Sequence, residues 1–266
     1  MVIDTHTHAA QGWNEADVRE HFQATGVAKV LLSAAPMDFW GSDLNEGCAR
    51  LIELFPDKAV GLIGIHPPQI DQSLRDIDQY HRKGFIGVKL MPTTGYYPDD
   101  ERYRKVFEEV NARRMIVLSH CGWCAPGLNR PDLPQCTLYS HPYHLEPLIR
   151  IFPETDFIMA HGGGRTTFQE AFELVQYHEN AWLDTCPGHG TWILQNAGAW
   201  LNVLNWSRVL FGTDTCYGRR GSFANFKKVE EFVRLCLPYA GFPQHVEAVM
   251  GVNGARLLKK HGVLLP

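Results

Sequence analysis

The chain of 266 residues carries 25 Lys and Arg against 29 Asp and Glu, a net charge of -4, with 45% apolar residues and 13 His. This composition excludes an intrinsically disordered chain and a strongly basic nucleic-acid-binding protein. The length suits one large domain, such as an eight-fold α/β barrel of about 250 residues, or two small ones.

Eight short apolar runs, each bounded by Gly, Pro or polar residues, are typical of buried strands. In chain order the first leads from Val2 into His6, and the others cover 27–32, 59–65, 85–90, 115–119, 156–160, 181–185 and 209–212. Between them, apolar residues recur with a helical period, most clearly over 103–110, 145–152, 168–175 and 226–233. We expect Asp99 or Asp100 to cap the first of these helices and the pair Thr166-Thr167 to cap the third.

Strands that alternate with helices indicate βα units around a parallel sheet. The strand ends lie about 30 residues apart on average, which is the size of a βαβ unit. An open doubly wound sheet is the alternative, but its dinucleotide-binding form carries a glycine-rich turn after the first strand, where this chain has His6-Thr7-His8-Ala9. We therefore predict an α/β protein with a single (β/α)8 TIM barrel that spans residues 1–266 as one domain.

We find no secretory signal and no apolar run of the ~18–20 residues that span a membrane. The seven cysteines are an odd number, so free thiols are expected, in a cytoplasmic protein. Five histidines fall within helical stretches and are expected to be solvated, namely His21, His81, His178, His245 and His261.

His6 and His8 lie two residues apart at the end of the first strand, so both side chains point to the same face. Neutral imidazoles are good ligands for zinc and similar ions. A pair of structural histidines is the alternative. Three more polar residues, His120, His161 and Asp214, each end or follow an apolar run and would meet at the same end of a barrel.

These residues lie in stretches that resemble the metal-dependent amidohydrolase superfamily, specifically its amidohydrolase-2 (amidohydrolase-related) family. The stretches occur in the family's order along the whole chain: Ile3-Asp4-Thr5-His6-Thr7-His8, Gly87-Val88-Lys89-Leu90-Met91-Pro92, Val117-Leu118-Ser119-His120, Phe152-Pro153 through His161-Gly162-Gly163-Gly164, Phe211-Gly212-Thr213-Asp214, and 251–258.

The resemblance implies a barrel of the metallo-dependent hydrolase type with His6, His8, His120 and Asp214 as metal ligands. Asp214 also matches the residue that takes a proton from an activated water. His161 matches the histidine of the sixth strand, which in the family binds a second metal or polarises the substrate. The expected cofactor is one divalent ion, Zn²⁺ with Mn²⁺ as the alternative, and a homodimer is expected by resemblance only.

Lys89 ends the fourth strand and has three interpretations. It matches the position of a bridging carbamate in some two-metal amidohydrolases, and it would equally bind a substrate carboxylate or form a buried ion pair. TatD-type deoxyribonucleases share the opening motif but carry Glu at this position, and the later stretches do not match PHP-type phosphoesterases.

Residues that follow the strand ends are candidates to contact substrate. They are Lys89, Trp123, Arg165, Tyr217 and Arg219. For each of them the alternative is a residue that packs within its loop or is exposed to solvent, without contact to substrate. Cys121-Gly122-Trp123-Cys124 resembles a redox dithiol, but it lies in a loop rather than at the start of a helix. Cys121, Cys186 and Cys216 follow strand ends and are expected to line the site.

The sequence thus predicts a hydrolase that attacks a small carbonyl substrate, such as a lactone, amide or cyclic ester, with a metal-activated water. A non-oxidative decarboxylase of an aromatic or muconic-type acid would use the same residues and is the alternative. A non-enzymatic barrel is a third hypothesis, against which the five convergent residues count. We expect the partner to be a small-molecule substrate, and we expect no binding to nucleic acid or to a membrane.

Overall fold

The computed structural model describes residues 1–10, 12–34, 44–123, 136–186, 189–219 and 223–265. Nine parallel strands form one sheet in the order β8-β7-β6-β5-β4-β3-β2-β1-β9. They are β1 (Ile3–Ala9), β2 (Lys29–Ser33), β3 (Ala59–Gly64), β4 (Gly87–Leu90), β5 (Ile116–Ser119), β6 (Asp156–Met159), β7 (Ala181–Asp184), β8 (Val209–Leu210) and β9 (Thr215–Tyr217).

The sheet closes on itself because β8 and β9 are two segments of one barrel strand. β8 pairs with β7, and β9, only four residues further along the chain, pairs with β1. The intervening residues also bond to β1, since Thr5 donates its amide to the Phe211 carbonyl at 2.8 Å. The predicted (β/α)8 TIM barrel is therefore confirmed, with its eighth strand interrupted at residues 211–214.

Helices follow the strands around the barrel. Their bounds are α1 (Glu15–Thr25), α2 (Leu44–Leu54), α3 (Ile70–His81), α4 (Arg104–Ala112), α5 (Glu146–Ile151), α6 (Phe168–Tyr177), α7 (His189–Asn196), α8 (Phe223–Glu231), α9 (Leu237–Tyr239) and α10 (Asn253–Lys260). Asp100 caps the turn that leads into α4 by accepting from the Arg102 amide, as expected. Thr167 does not cap α6 with its side chain, because its hydroxyl donates to the Gly163 carbonyl at 2.6 Å.

Two apolar clusters hold the barrel together. The larger lies between the outer faces of the strands and the helices, and the smaller fills the lower interior, with Leu31, Ile116, Ile158, Trp182 and Leu210 as members. Helix α10 adds Leu257 and Leu258 to the smaller cluster and so closes the amino-terminal end of the barrel. The strands are consequently buried on both faces, as parallel strands usually are.

Two of the histidines expected to be solvated are buried. His21 of α1 is 7% exposed and accepts a hydrogen bond from the Gly218 amide through Nδ1. The His261 side chain, directly after α10, is 3% exposed and lies 2.7 Å from Asp156 at the start of β6. Among the described residues, no helix combines the length and the apolar character needed to cross a membrane.

Candidate metal centre

His6, His8 and Asp214 meet at the carboxyl ends of the strands. Each offers one ligand atom, and these three atoms all lie within 4.8 Å of one another. Oδ1 of Asp214 is 2.9 Å from Nε2 of His8 and 3.7 Å from Nε2 of His6. The structure thus brings together three of the four predicted metal ligands.

Asp214 owes its position to an unusual backbone. Its φ is +56°, in the left-handed region, and its amide donates to the His6 carbonyl at 2.8 Å. The side chain is 36% exposed, so the carboxylate is open to a molecule that enters from the barrel mouth. Burial acts to raise the pKa of this carboxyl, but the His8 hydrogen bond and the nearby His6 and His161 outweigh it and hold the pKa well below the usual value.

The three histidines that are candidate ligands have one feature in common: Nδ1 of each contacts another protein atom. Nδ1 of His6 is 2.7 Å from Asp184, Nδ1 of His8 is 3.2 Å from the Ser33 carbonyl, and Nδ1 of His120 is 3.2 Å from Nε2 of His161. A partner at Nδ1 fixes the ring and leaves Nε2 as the ligand atom, which is the usual arrangement around protein metal ions.

His120 and His161 form a pair beside this group. Their ring centroids are 4.8 Å apart, and that of His161 is 5.4 Å from the centroid of His6. Nε2 of His120 is buried and has no hydrogen-bond partner among the described residues. A buried imidazole nitrogen without a partner is costly unless it has another ligand, so this atom fits a metal ion. His120 does not belong to the 4.8 Å group, and its role as the fourth ligand stays a prediction.

His161 reaches the site through a left-handed turn. Its φ is +58°, and Gly162, Gly163 and Gly164 that follow all have positive φ. Gly164 passes close to the loop after β5, since a Cβ placed there would be 2.7 Å from Cα of Gly122. Burial lowers the pKa of His161 to about 3, so this imidazole is neutral at pH 7.

A family model described as amidohydrolase matches residues 3–260 of the chain. The chain belongs to the amidohydrolase-2 family. No curated protein sequence matches it.

Solved structures share the fold of this chain at low sequence identity. An uncharacterised TIM-barrel protein from Bordetella bronchiseptica has a TM-score of 0.69 at 18% identity, with 98% of this chain and 99% of that chain covered. A Pseudomonas putida protein, provisionally assigned as a 2-pyrone-4,6-dicarboxylic acid hydrolase, has a TM-score of 0.68 at 16% identity, with 99% and 98% covered. A 5-carboxyvanillate decarboxylase from Novosphingobium aromaticivorans, complexed with manganese, has a TM-score of 0.60 at 15% identity, with 99% and 96% covered.

Lys89 lies beside the same group of residues. It is 1% exposed, and its Nζ is 3.0 Å from Nε2 of His6. Burial lowers the pKa of this lysine, while the carboxylates of Asp214 and Asp184 act in the opposite direction. The lysine therefore lies beside the candidate ligands.

The other predicted substrate contacts occupy the rim or the exterior. Trp123 is 53% exposed after β5, Arg165 is exposed after β6 with its guanidinium 5.2 Å from the Trp192 ring, and Arg219 is exposed after β9. Tyr217 is fully buried outside the barrel, where its ring is 4.9 Å from that of Phe22 in α1. Successive residues of β9 point to opposite faces, so we do not retain Tyr217 as a substrate contact.

Of the three cysteines expected to line the site, Cys186 directly contacts a candidate ligand. Cys186 is fully buried and its Sγ is 2.7 Å from Nδ1 of His6, while Cys121 is buried after β5 and Cys216 is partly buried. The six cysteines among the described residues are free, as expected. Cys124 of the predicted dithiol lies outside the described residues.

Asp184 and Asp4 are buried acidic residues near the candidate ligands, and the sequence analysis does not identify either of them. Asp184 is the last residue of β7, and Asp4 lies in β1 two residues before His6. The alternation of β7, in which Asp184 shares a face with Trp182, was a signal that could have identified the first of them.

Proposed function

We propose that the protein is a metal-dependent hydrolase of a small carbonyl substrate, such as a lactone, an amide or a cyclic ester. One observation carries this proposal: ligand atoms of His6, His8 and Asp214 lie within 4.8 Å of one another at the open end of the barrel. In TIM-barrel enzymes this end, built from the loops that follow the strands, carries the active site.

The residues present fit a divalent ion. His6, His8 and Asp214, with His120 as the fourth, would hold it, and two or three imidazoles with a carboxylate are typical of catalytic zinc sites. We expect Zn²⁺, with Mn²⁺ as the alternative. Such an ion lowers the pKa of a water molecule toward ~7 and polarises a carbonyl oxygen. Nε2 of His120 is buried and has no hydrogen-bond partner in the described part of the chain, which supports His120 as the fourth ligand.

Two residues would handle protons and charge. The low pKa of Asp214 keeps its carboxylate ionised at neutral pH, and its exposed edge can accept a proton from water and later deliver it to the leaving group. His161 is neutral. If Nδ1 of His120 donates to Nε2 of His161, the remaining proton of His161 is on Nδ1, where it can donate to a developing oxyanion.

Cationic side chains around the site support a substrate that carries negative charge. Lys89 is buried beside the candidate ligands, and Arg165 and Arg219 are exposed on the rim. We propose that Lys89 binds a substrate oxygen, because the acceptor that its Nζ has in the structure, Nε2 of His6, is also a candidate ligand atom. Trp123 and Arg165 would contact the outer part of the substrate.

A decarboxylase of an aromatic or muconic-type acid is the second candidate. The manganese-bound carboxyvanillate decarboxylase with the same fold supports it. In such a reaction Asp214 or His161 would protonate carbon, and an arginine would anchor a carboxylate. A homodimer and a cytoplasmic location stay predictions from the sequence.

Metal analysis joined to a substrate panel tests both candidates. Protein purified without chelator is expected to hold one divalent ion per chain and to turn over a member of a lactone, amide and aromatic-acid panel. Hydrolysis incorporates ¹⁸O from labelled water into the product, whereas decarboxylation releases carbon dioxide. Release of carbon dioxide without ¹⁸O in the product would replace the hydrolase by the decarboxylase.

Variants separate the site from the rest of the protein. Replacing both His6 and His8 by Ala is expected to abolish metal binding, and Asp214→Asn is expected to abolish turnover. His81→Ala, on helix α3 away from the site, serves as the control and should retain both. Full metal occupancy in the His6/His8 variant would contradict the site, and full activity of Asp214→Asn would contradict the mechanism.

A further inference from the structure

One buried carboxylate contacts two different strands of the site. Asp184 ends β7 with its side chain fully buried, and it accepts three hydrogen bonds. Its Oδ2 is 2.7 Å from Nδ1 of His6, and its Oδ1 accepts the amides of His161 at 2.7 Å and Cys186 at 3.1 Å. Asp184 therefore links a candidate ligand on β1 to the turn after β6.

The second of these links holds a strained backbone. His161 has a φ of +58°, in the left-handed region that is unfavourable for a residue with a side chain. A charge-assisted hydrogen bond from its amide to a buried carboxylate offsets this cost. The same carboxylate that orients His6 thus stabilises the turn that carries His161.

Gly212 lies against the His6–Asp184 pair, where a side chain would be crowded. A Cβ on Gly212 of the interrupted eighth strand would be 3.0 Å from Cβ of His6 and 3.1 Å from Cβ of Asp184. Those distances are shorter than ordinary carbon contacts, which are about 3.5–4.0 Å. The absence of a side chain at Gly212 therefore lets the His6–Asp184 pair lie against the neighbouring strand.

The hydrogen bonds at the two nitrogens of His6 require the same tautomer. An ionised carboxylate only accepts, so the contact with Asp184 places the proton of His6 on Nδ1. Lys89 approaches the opposite nitrogen, and its Nζ donates to Nε2 at 3.0 Å, which requires a lone pair there. A lone pair on Nε2 is also what a metal ion needs.

Cys186 also approaches Nδ1 of His6, with its Sγ at 2.7 Å. A thiol sulfur is a weak acceptor, whereas Asp184 accepts two backbone amides at Oδ1, and a backbone amide can only donate. Oδ2 of Asp184 is therefore the acceptor for the proton on Nδ1 of His6.

We propose that Asp184 is a positioning residue of the metal centre, which fixes His6 as the Nδ1–H tautomer with Nε2 free for the ion and anchors the backbone of His161. This inference rests on the proposed function only in assuming that an ion binds there. The tautomer and the backbone anchor are properties of the protein without any ion.

The wild-type protein provides the first measurement. Long-range ¹H–¹⁵N correlation spectra of ¹⁵N-histidine-labelled, metal-free protein at neutral pH report which ring nitrogen carries the proton. The His6 signal is identified by its loss in His6→Gln. We expect a protonated Nδ1, and a protonated Nε2 would overturn the proposal without any Asp184 variant.

The second measurement uses Asp184→Asn. The amide keeps an oxygen for the His161 and Cys186 amides but presents an NH₂ group to His6, so the His6 proton is expected to move to Nε2. Affinity for Zn²⁺, measured by competition with a chelating dye, should fall about 10- to 100-fold. The matched control is Asp156→Asn, a buried carboxylate at the opposite end of the barrel, which should leave zinc affinity unchanged.

Three outcomes of the variant measurements would also overturn the proposal. They are wild-type zinc affinity in Asp184→Asn, an unchanged His6 tautomer in that variant, and an equal loss of zinc affinity in Asp156→Asn. Failure of the proposed function is distinguishable, because it would appear as wild-type protein that binds no ion or turns over no substrate while the His6 tautomer still depends on Asp184.

Discussion

The hydroxyl of Thr213 lies 2.5 Å from Oδ2 of Asp4, and the Thr213 amide donates to Oδ1 of the same carboxyl at 3.1 Å. Asp4 is fully buried, and burial raises its pKa to about 8. The next residue along the chain is Asp214, with its left-handed φ of +56°. The Asp4–Thr213 pair therefore fixes the chain immediately before the candidate catalytic carboxylate.

Thr213→Val tests whether this pair positions Asp214. The substitution keeps the shape of the side chain and removes the hydroxyl, so Asp4 loses one of its hydrogen bonds and the turn loosens. We expect kcat to fall roughly 10- to 100-fold, because misplacement of a catalytic group by about 1 Å has effects of this size. Thr166→Val, at an exposed threonine, is the control. Unchanged kcat in Thr213→Val would show that the backbone alone holds Asp214.

Lys89→Met distinguishes the interpretations of the buried lysine. If Lys89 binds a substrate oxygen, KM for an anionic substrate should rise about 10-fold or more while the metal content and the melting temperature are retained. Met has a similar volume to Lys and carries no charge, so the substitution removes the cost of burying an ammonium group that is 1% exposed. Loss of a second equivalent of metal in Lys89→Met would instead identify Lys89 as a carbamate ligand.

The positions of His6, His8, His120 and Asp214 could be predicted because polar residues at the ends of parallel strands converge in a closed barrel. The sequence does not identify Asp184 as a site residue, because the end of the seventh strand is predicted one residue too late. The predicted strand 181–185 ends one residue later than β7, and this places Thr185 rather than Asp184 at the strand end. Its partner His6 lies 178 residues away, and only closure of the barrel brings the two together.

Errors among the other residues have a similar cause. Helical periodicity placed His261 at a solvated end, but α10 folds under the barrel and carries this side chain to Asp156. Tyr217 follows a strand end in the sequence, yet it belongs to β9, where alternation turns it toward α1. Chain order indicates which end of the barrel a residue occupies, whereas the direction of its side chain depends on where each strand stops.

Gly164→Ala is expected to destabilise the protein through two separate effects. Gly164 has φ +95° and ψ +146°, near the region that is almost exclusive to glycine, and an added Cβ would be 2.7 Å from Cα of Gly122. We expect the free energy of unfolding to fall by about 2–4 kcal/mol, from backbone strain and overpacking together. Gly241→Ala is the matched control, because Gly241 has φ +96° and open space around it. Equal losses in the two variants, measured by urea unfolding, would exclude the contact with Gly122.

Asp156 joins the lower end of the barrel to the end of the chain. It is fully buried at the start of β6, where it accepts from Trp182 at 2.8 Å and lies 2.7 Å from both Lys260 and His261. Burial acts to raise the pKa of the Asp156 carboxyl, but the hydrogen bonds from His261, Lys260 and Trp182 outweigh it and hold the pKa below 3.8. The carboxylate therefore stabilises the folded state.

Asp156→Asn is expected to lower the free energy of unfolding at pH 7 by about 1–3 kcal/mol, since Lys260 and His261 lose a charged acceptor. A carboxyl with a lowered folded-state pKa contributes its stability above the unfolded value of 3.8 and loses it as the pH falls through the lower folded value. The difference between wild type and variant, measured by urea unfolding at several pH values, should thus be full at pH 7 and shrink below pH 3.8. Asp57→Asn, at an exposed carboxylate, should change stability by less than about 0.5 kcal/mol. A wild-type advantage that is independent of pH would mean that packing, rather than the charge of Asp156, holds α10 against the barrel.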